Sequence, residues 1–210
     1  RTLLAALFAL SVSFVLGPWL IARLTALKIG QPIRSDGPAA HQSKAGTPTM
    51  GGALILFSLI FATLLLADLT NPYIWLALSV TIGFGLIGFV DDYQKLSQQN
   101  SVGLQGKYKL LAQFVIAFAA ALWLFWQPGF ESTLTIPFLK DLRPDLGWWY
   151  VPFAALVVVG ASNAVNLTDG LDGLAIGPVM IVGVTYAIFA YVSGHSRMAE
   201  YLQVPYVAGA

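Results

Sequence analysis

The sequence predicts an all-α protein that crosses a membrane several times. Of its 210 residues, 57% are hydrophobic and 10% are charged, whereas a soluble domain carries about 25% charged residues. A soluble domain of this size needs a mostly polar surface, which so few charges cannot provide. Six apolar runs of about 20 residues, the length of a bilayer-spanning helix, indicate the same fold class.

The apolar runs give the order of the predicted helices. They cover residues 2–22, 50–68, 72–90, 108–126, 149–165 and 174–193. The second and fifth reach spanning length only by including polar residues at their ends. A seventh helix is predicted to begin at Tyr201. The alternating stretch 132–136 predicts a small periplasmic β-hairpin in the fourth connection.

The charges of the connections predict the orientation. Successive helices run in opposite directions, so the first, third and fifth connections share one face. That face holds seven lysines and arginines against four on the other, which predicts that it is cytoplasmic. The net charge of +1 without a basic cluster predicts no nucleic-acid partner. Because cysteine is absent, any metal must be held by oxygen or imidazole.

Lys44–Gly52 leads directly into the second predicted helix and contains Thr47, Thr49 and three glycines. Backbone N–H groups at a helix start, with hydroxyl side chains and the charge of Lys44, favour binding of a phosphate or pyrophosphate. An ordinary Thr-Pro helix start, with glycines for close helix packing, is the alternative.

Two adjacent acids, Asp91 and Asp92, end the third apolar run, and Lys95 follows. Neighbouring side chains point about 100° apart on a helix, so one metal ion would not readily bind both. We therefore expect one acid to bind Mg²⁺ and the other to meet the reacting group. The alternative is a helix end with solvated acids, although acids at a helix C-terminus oppose its dipole.

A ladder of polar residues ends the fifth run. Asn163, Asn166, Asp169 and Asp172 recur every third residue and form one polar face on a helix or tight turn. Carboxylates near the membrane are costly and usually mark a functional site. In contrast, Gly83–Gly88 fits a dinucleotide-binding fingerprint, but it lies inside a spanning helix with no preceding strand. Close helix packing explains these glycines better.

Residues 44–52, 89–95 and 163–175 together resemble the signatures of the bacterial phospho-N-acetylmuramoyl-pentapeptide transferases. The 44–52 string separates this branch from its sister polyprenyl-phosphate N-acetylhexosamine phosphate transferases. The resemblance implies a ten-helix enzyme of the bacterial inner membrane, often a homodimer. Residues 1–210 would form one transmembrane transferase domain, which we expect to be cut at both ends.

The resemblance also implies a reaction. Phospho-MurNAc-pentapeptide would pass from UDP-MurNAc-pentapeptide to undecaprenyl phosphate with Mg²⁺, giving UMP and lipid I for peptidoglycan synthesis. The nearest alternative is a sister enzyme that uses UDP-N-acetylglucosamine. An ion-coupled transporter would place its acids near the bilayer midplane, whereas these lie at helix ends. A structural scaffold would leave the polar ladder unexplained.

The resemblance assigns site residues by matching position. Asp91 would activate the lipid phosphate, and Asp92 would act beside it, near the metal and the pyrophosphate. The substrate-binding residues would be Lys95 and Lys107 for phosphates, Asn166 and Asp169 for the nucleotide, and Lys44, Thr49, Gly170, Leu171 and Asp172 around the uracil. The main Mg²⁺-binding aspartate and a histidine-rich loop are expected beyond Ala210, so residues 1–210 alone are expected to be inactive.

Overall fold

The structure is a computed structural model that describes residues 2–26, 50–98, 103–136, 139, 142–169 and 173–207. These residues form seven α-helices and no β-strand, which confirms the predicted all-α class. The helices are α1 (Thr2–Ala26), α2 (Gly52–Leu66), α3 (Pro72–Ser97), α4 (Gly106–Phe125), α5 (Tyr150–Thr168), α6 (Ile176–Ser193) and α7 (Ser196–Leu202). A short 3-10 turn, Gly147–Trp149, precedes α5.

Five helices of the described residues are long and apolar enough to cross a membrane: α1, α3, α4, α5 with its 3-10 turn, and α6. The predicted count of six spans is therefore not confirmed. α2 has 15 residues, or about 22 Å, whereas the hydrocarbon core is about 30 Å thick. It is shorter than its apolar run because Met50 has a φ of 70° before it and Ala67 is extended after it.

The seventh spanning helix predicted to begin at Tyr201 is not confirmed among the described residues. Tyr201 belongs to α7, which starts at Ser196 and ends at Leu202. Gln203 then adopts a left-handed conformation with a φ of 54°, and residues 204–207 are not helical. With seven residues, α7 is too short to span a membrane.

The chain forms two compact units, Arg1–Leu156 and Val157–Ala210. In the first unit, α1 packs on α2, α2 on α3, and α3 on α4. In the second unit, α6 packs on α7. The prediction of a single domain over residues 1–210 stays a prediction.

Small residues make the helix contacts of the first unit. Ala62, Ala117 and Ala121 are buried, and the hydroxyl of Ser13 donates a hydrogen bond of 3.0 Å to the hydroxyl of Ser58 between α1 and α2. Large apolar side chains face outward instead, as at Leu3, which is 80% exposed. This arrangement suits a lipid environment, where close packing of small residues rather than burial of large ones holds helices together.

The glycines of α3 show the same close packing on both sides of the helix. A Cβ atom at Gly83 would lie 2.9 Å from Cδ1 of Ile116 on α4. A Cβ atom at Gly85 would lie 2.5 Å from Cδ1 of Leu56 on α2. The packing interpretation of Gly83–Gly88 is thus confirmed, because two of its three glycines admit a neighbouring helix.

The connection between α4 and α5 contains one antiparallel bridge, between Thr133 and Asp145. The predicted β-hairpin is not confirmed among the described residues, because one bridge does not make a pair of strands. Pro144, next to the bridge, has no N–H group with which to extend the pairing. Hydrogen bonds from the Ser132 hydroxyl and the Gly147 amide lower the pKa of the Asp145 carboxyl.

Candidate active site

The last two turns of α3 carry the acids and Lys95. The start of α3 is fixed by Pro72 at its first position and by the side chain of Asn71, which accepts a hydrogen bond of 2.9 Å from the amide of Tyr73. Asp91 is then about 28 Å along the helix axis, close to the thickness of the hydrocarbon core. α3 is therefore long enough to carry its acids across the hydrocarbon core, and their place near one membrane surface stays a prediction.

The carboxylate of Asp91 is buried, with 8% of the residue exposed. Oδ2 of Asp91 accepts a hydrogen bond of 2.7 Å from Nζ of Lys95, and Nζ of Lys109 on α4 lies 3.8 Å from the same oxygen. Oδ1 accepts a hydrogen bond of 2.8 Å from the backbone amide of Leu104. A buried charge needs such partners to offset the loss of water, so Asp91 is held by two cations and an amide.

Asp92 has different surroundings. Its side chain is 33% exposed, and its Oδ1 lies 3.5 Å from Nζ of Lys95. It lines one end of a cavity of about 520 Å³ between α2 and α3, whose remaining lining residues are apolar side chains and glycines. These are Met50, Gly52, Ala53, Ile55, Leu56, Phe57, Ile60, Ile82, Gly85, Leu86, Gly88 and Phe89. The two acids thus face different neighbours, as expected for adjacent residues on a helix.

Lys109 on α4 reaches Asp91, and the role of Lys107 in holding phosphates stays a prediction. Nζ of Lys107 lies 4.9 Å from the centre of the Tyr108 ring. Residues two apart on a helix point about 200° apart, so one lysine of this pair faces α3 and the other does not. The sequence does not give the rotation of α4, which determines that Lys109 is the lysine beside Asp91. The positions of Gly103 and Leu104 beside Asp91 were not predicted from the sequence.

The polar ladder begins on α5. Asn163 and Asn166 lie on its last turns, and Asp169 follows its end. Nδ2 of Asn163 donates a hydrogen bond of 2.8 Å to the carbonyl of Val159, while Asn166 and Asp169 are exposed. These residues belong to the second compact unit. The predicted site residues Lys44, Thr49, Gly170, Leu171 and Asp172 lie outside the described residues.

The structure brings together three of the predicted site residues, Asp91, Asp92 and Lys95, on one helix end. The family model described as glycosyl transferase family 4 matches residues 74–209, more than half of the chain. The chain belongs to glycosyl transferase family 4. Residues 44–56 also match signature 1 of the phospho-N-acetylmuramoyl-pentapeptide-transferases.

The chain is also similar to phospho-N-acetylmuramoyl-pentapeptide-transferases of several bacteria. The chain is 56% identical over 209 residues to a phospho-N-acetylmuramoyl-pentapeptide-transferase of Syntrophus aciditrophicus (strain SB). It is 57% identical over 210 residues to one of Pelobacter propionicus and 51% identical over 210 residues to one of Geobacter sp. (strain M21). Each match covers 100% of this chain but 58% or 59% of the relative. The resemblance found in the sequence is confirmed.

A metal ion in this family member would need ligands from more than the acids of α3. Within the described ranges, no three Asp, Glu or His side chains converge on one point. Mg²⁺ commonly takes one or two carboxylates and completes its shell with water and substrate phosphates. The partly exposed carboxylate of Asp92 fits the role of one such ligand, whereas both oxygens of Asp91 already accept hydrogen bonds.

Proposed function

We propose that the complete protein transfers phospho-MurNAc-pentapeptide from UDP-MurNAc-pentapeptide to undecaprenyl phosphate, giving UMP and lipid I for peptidoglycan synthesis. One observation carries the proposal: Asp92 stands at the end of an apolar cavity, beside the Asp91–Lys95 pair. Such a site suits a substrate with an apolar chain and an ionic end. The family match and the names of the relatives support the same reaction.

The proposed chemistry is a displacement at phosphorus. An oxygen of the lipid phosphate attacks the phosphorus that carries the sugar and forms a new P–O bond. The bond from that phosphorus to the oxygen it shares with UMP breaks, and the electron pair leaves on UMP. Three phosphates then share a small volume, so catalysis depends on positioned positive charge. Lys95 and Lys109, both held by Asp91, provide it.

The two acids have distinct proposed roles. Asp91 keeps Lys95 and Lys109 in place, and its activation of the lipid phosphate stays a prediction from the family resemblance. Asp92 faces the cavity, where the end of the lipid chain and its phosphate would lie. Asp92 would also be one ligand of Mg²⁺, which when bound supplies charge neutralisation.

The proposed location is the bacterial cytoplasmic membrane, with the acids on the cytoplasmic face. The nucleotide sugar is soluble and the acceptor is a lipid, so the site must lie at a membrane surface rather than at the midplane. The position of Asp91, about 28 Å along α3, supports this arrangement. The excess of lysine and arginine in the odd connections supports the cytoplasmic side.

The test uses the complete protein in detergent with undecaprenyl phosphate, Mg²⁺ and UDP-MurNAc-pentapeptide. We expect release of UMP together with a lipid-linked product, measured by chromatography. Replacing the donor by UDP-N-acetylglucosamine is the matched control and should give no UMP. Release of UMP from the control donor alone would assign the protein to the sister enzymes, and release from neither donor would contradict the proposal.

A further inference from the structure

Gly103 and Leu104, which precede α4, lie beside Asp91 of α3. Gly103 has a φ of +57°, in the left-handed region that favours glycine. The next residue, Leu104, directs its backbone amide to Oδ1 of Asp91, 13 positions earlier in the chain, at 2.8 Å. The turn at Gly103 is thus what aims this amide at the buried carboxylate.

Space at Gly103 is as restricted as its conformation. A Cβ atom there would lie 2.6 Å from Oδ1 of Asp91 and 2.7 Å from Cε of Lys95. Real Cβ contacts are essentially never shorter than 3.0 Å. Any side chain at Gly103 must therefore displace the Asp91 carboxylate, the Lys95 stem or the turn itself.

We propose that Gly103 is a positioning residue, because its lack of a side chain lets the turn close on Asp91 and Lys95 so that the Leu104 amide fixes the Asp91 carboxylate. This inference rests on the proposed function, since it gives Gly103 a role in the transfer reaction. The fixed carboxylate in turn orients Lys95 and Lys109. Small misplacements of positioned groups are costly in catalysis, where about 1 Å can lower the rate about 100-fold.

The test compares Gly103→Ala with Gly129→Ala in the complete protein. Gly129 also has a positive φ, +78°, but a Cβ atom there would meet nothing within 4 Å. Both variants strain the backbone, and only Gly103→Ala also collides with Asp91 and Lys95. We expect kcat to fall about 10- to 100-fold in Gly103→Ala, with the KM for the nucleotide sugar nearly unchanged. We expect Gly129→Ala to match the wild type.

Hydrogen exchange of the Leu104 amide gives a second readout that needs no activity. We expect this amide to be protected in the wild type and in Gly129→Ala, and to exchange rapidly in Gly103→Ala and in Asp91→Ala. If Gly103→Ala fails to accumulate, comparison of the wild type with Asp91→Ala still tests whether Asp91 holds the Leu104 amide. Equal exchange in those two proteins, or wild-type kcat in Gly103→Ala, would overturn the inference. Absence of UMP from the wild type would instead contradict the proposed function, and the exchange experiment would still test the contact.

Discussion

Asp91 and Asp92 are neighbours in the chain with opposite surroundings. Asp91 points to α4 and is buried between Lys95, Lys109 and the Leu104 amide. Asp92 points to α2 and lines the cavity. The 100° between successive side chains of a helix produces this difference. The same substitution at the two positions therefore removes different interactions.

Replacement of Asp91 by Asn should nearly abolish transfer while leaving nucleotide binding largely intact. The neutral amide cannot balance Lys95 and Lys109, so both cations lose the group that holds them. We expect kcat to fall at least about 100-fold, measured by UMP release, with calorimetric titration of the nucleotide sugar as the binding assay. Glu131→Gln, at an exposed acid after α4, is the charge-matched control. A strong loss of nucleotide binding in Asp91→Asn would instead place Asp91 in the nucleotide pocket.

Two lysines in the first turn of α4 allow a matched comparison. Lys109 lies 3.8 Å from Asp91, and Lys107 lies over the Tyr108 ring. Because Lys109 reaches the acids and Lys107 does not, Lys109→Met should lower kcat about tenfold, or about 1.4 kcal/mol in the barrier. Lys107→Met should lower kcat less. A larger loss of kcat in Lys107→Met would contradict this order and support the phosphate-binding role predicted for Lys107.

α3 joins the other helices of the first unit because it packs against α2 on one side and α4 on the other. Gly85 admits α2, and Gly83 admits α4. The contact at Gly83 joins α3 to α4, the helix that carries Lys109 beside Asp91. Helix packing and the geometry of the acids are therefore coupled through a few small residues.

Gly83→Leu should destabilise the protein, whereas Gly88→Leu should not. Ile116 lies within 2.9 Å of a Cβ atom at Gly83, and its β-branched side chain has little rotamer freedom on a helix. A Cβ atom at Gly88 would meet nothing within 4 Å. We expect Gly83→Leu to lower the free energy of unfolding by about 1–3 kcal/mol, measured by denaturant titration in detergent. Equal stability of the two variants would show that α3 and α4 do not pack closely at Gly83.

Strongly apolar helices could be predicted from the sequence. Contacts between residues that are distant in the chain could not. Runs 72–90 and 108–126 appear as α3 and α4 because hydropathy marks helices that face lipid. α3 continues to Ser97, since polar residues that pair with one another extend a helix past its apolar part. The contact of Leu104 with Asp91 leaves no periodic signal, because it joins a backbone amide to a side chain across a turn.

At the scale of the whole molecule, the exposed apolar surface and the apolar cavity both suit a lipid environment. Large side chains such as Leu3 and Phe14 face outward, at 80% and 72% exposure. The cavity between α2 and α3 is lined by similar apolar groups but ends at Asp92. The apolar lining would contact the chain of a lipid acceptor and lead its phosphate to the carboxylate of Asp92. A soluble substrate has no apolar chain to bind there.

A side chain that fills this cavity should weaken binding of the lipid substrate without affecting the nucleotide sugar. Gly88 lines the cavity of about 520 Å³, and a Cβ atom there would meet nothing within 4 Å, so Gly88→Leu directs a bulky side chain into open space of the cavity. We expect the KM for undecaprenyl phosphate to rise about tenfold, or about 1.4 kcal/mol, while the KM for the nucleotide sugar stays the same. Ala119→Leu, at an exposed position of α4 that does not line the cavity, is the control. An unchanged KM for the lipid would place its chain elsewhere.

The length of α3 has a consequence for how the rate depends on the two substrates. With 26 residues, α3 is about 39 Å long, which exceeds the hydrocarbon core of about 30 Å, so the proposed site at its last turns would lie at the boundary between hydrocarbon and water. At such a boundary, occupancy by the nucleotide depends on its molar concentration in water. Occupancy by the lipid depends on its mole fraction in the bilayer or micelle. Added detergent at constant acceptor should therefore slow transfer by surface dilution, while the same dilution leaves saturation by the nucleotide unaffected.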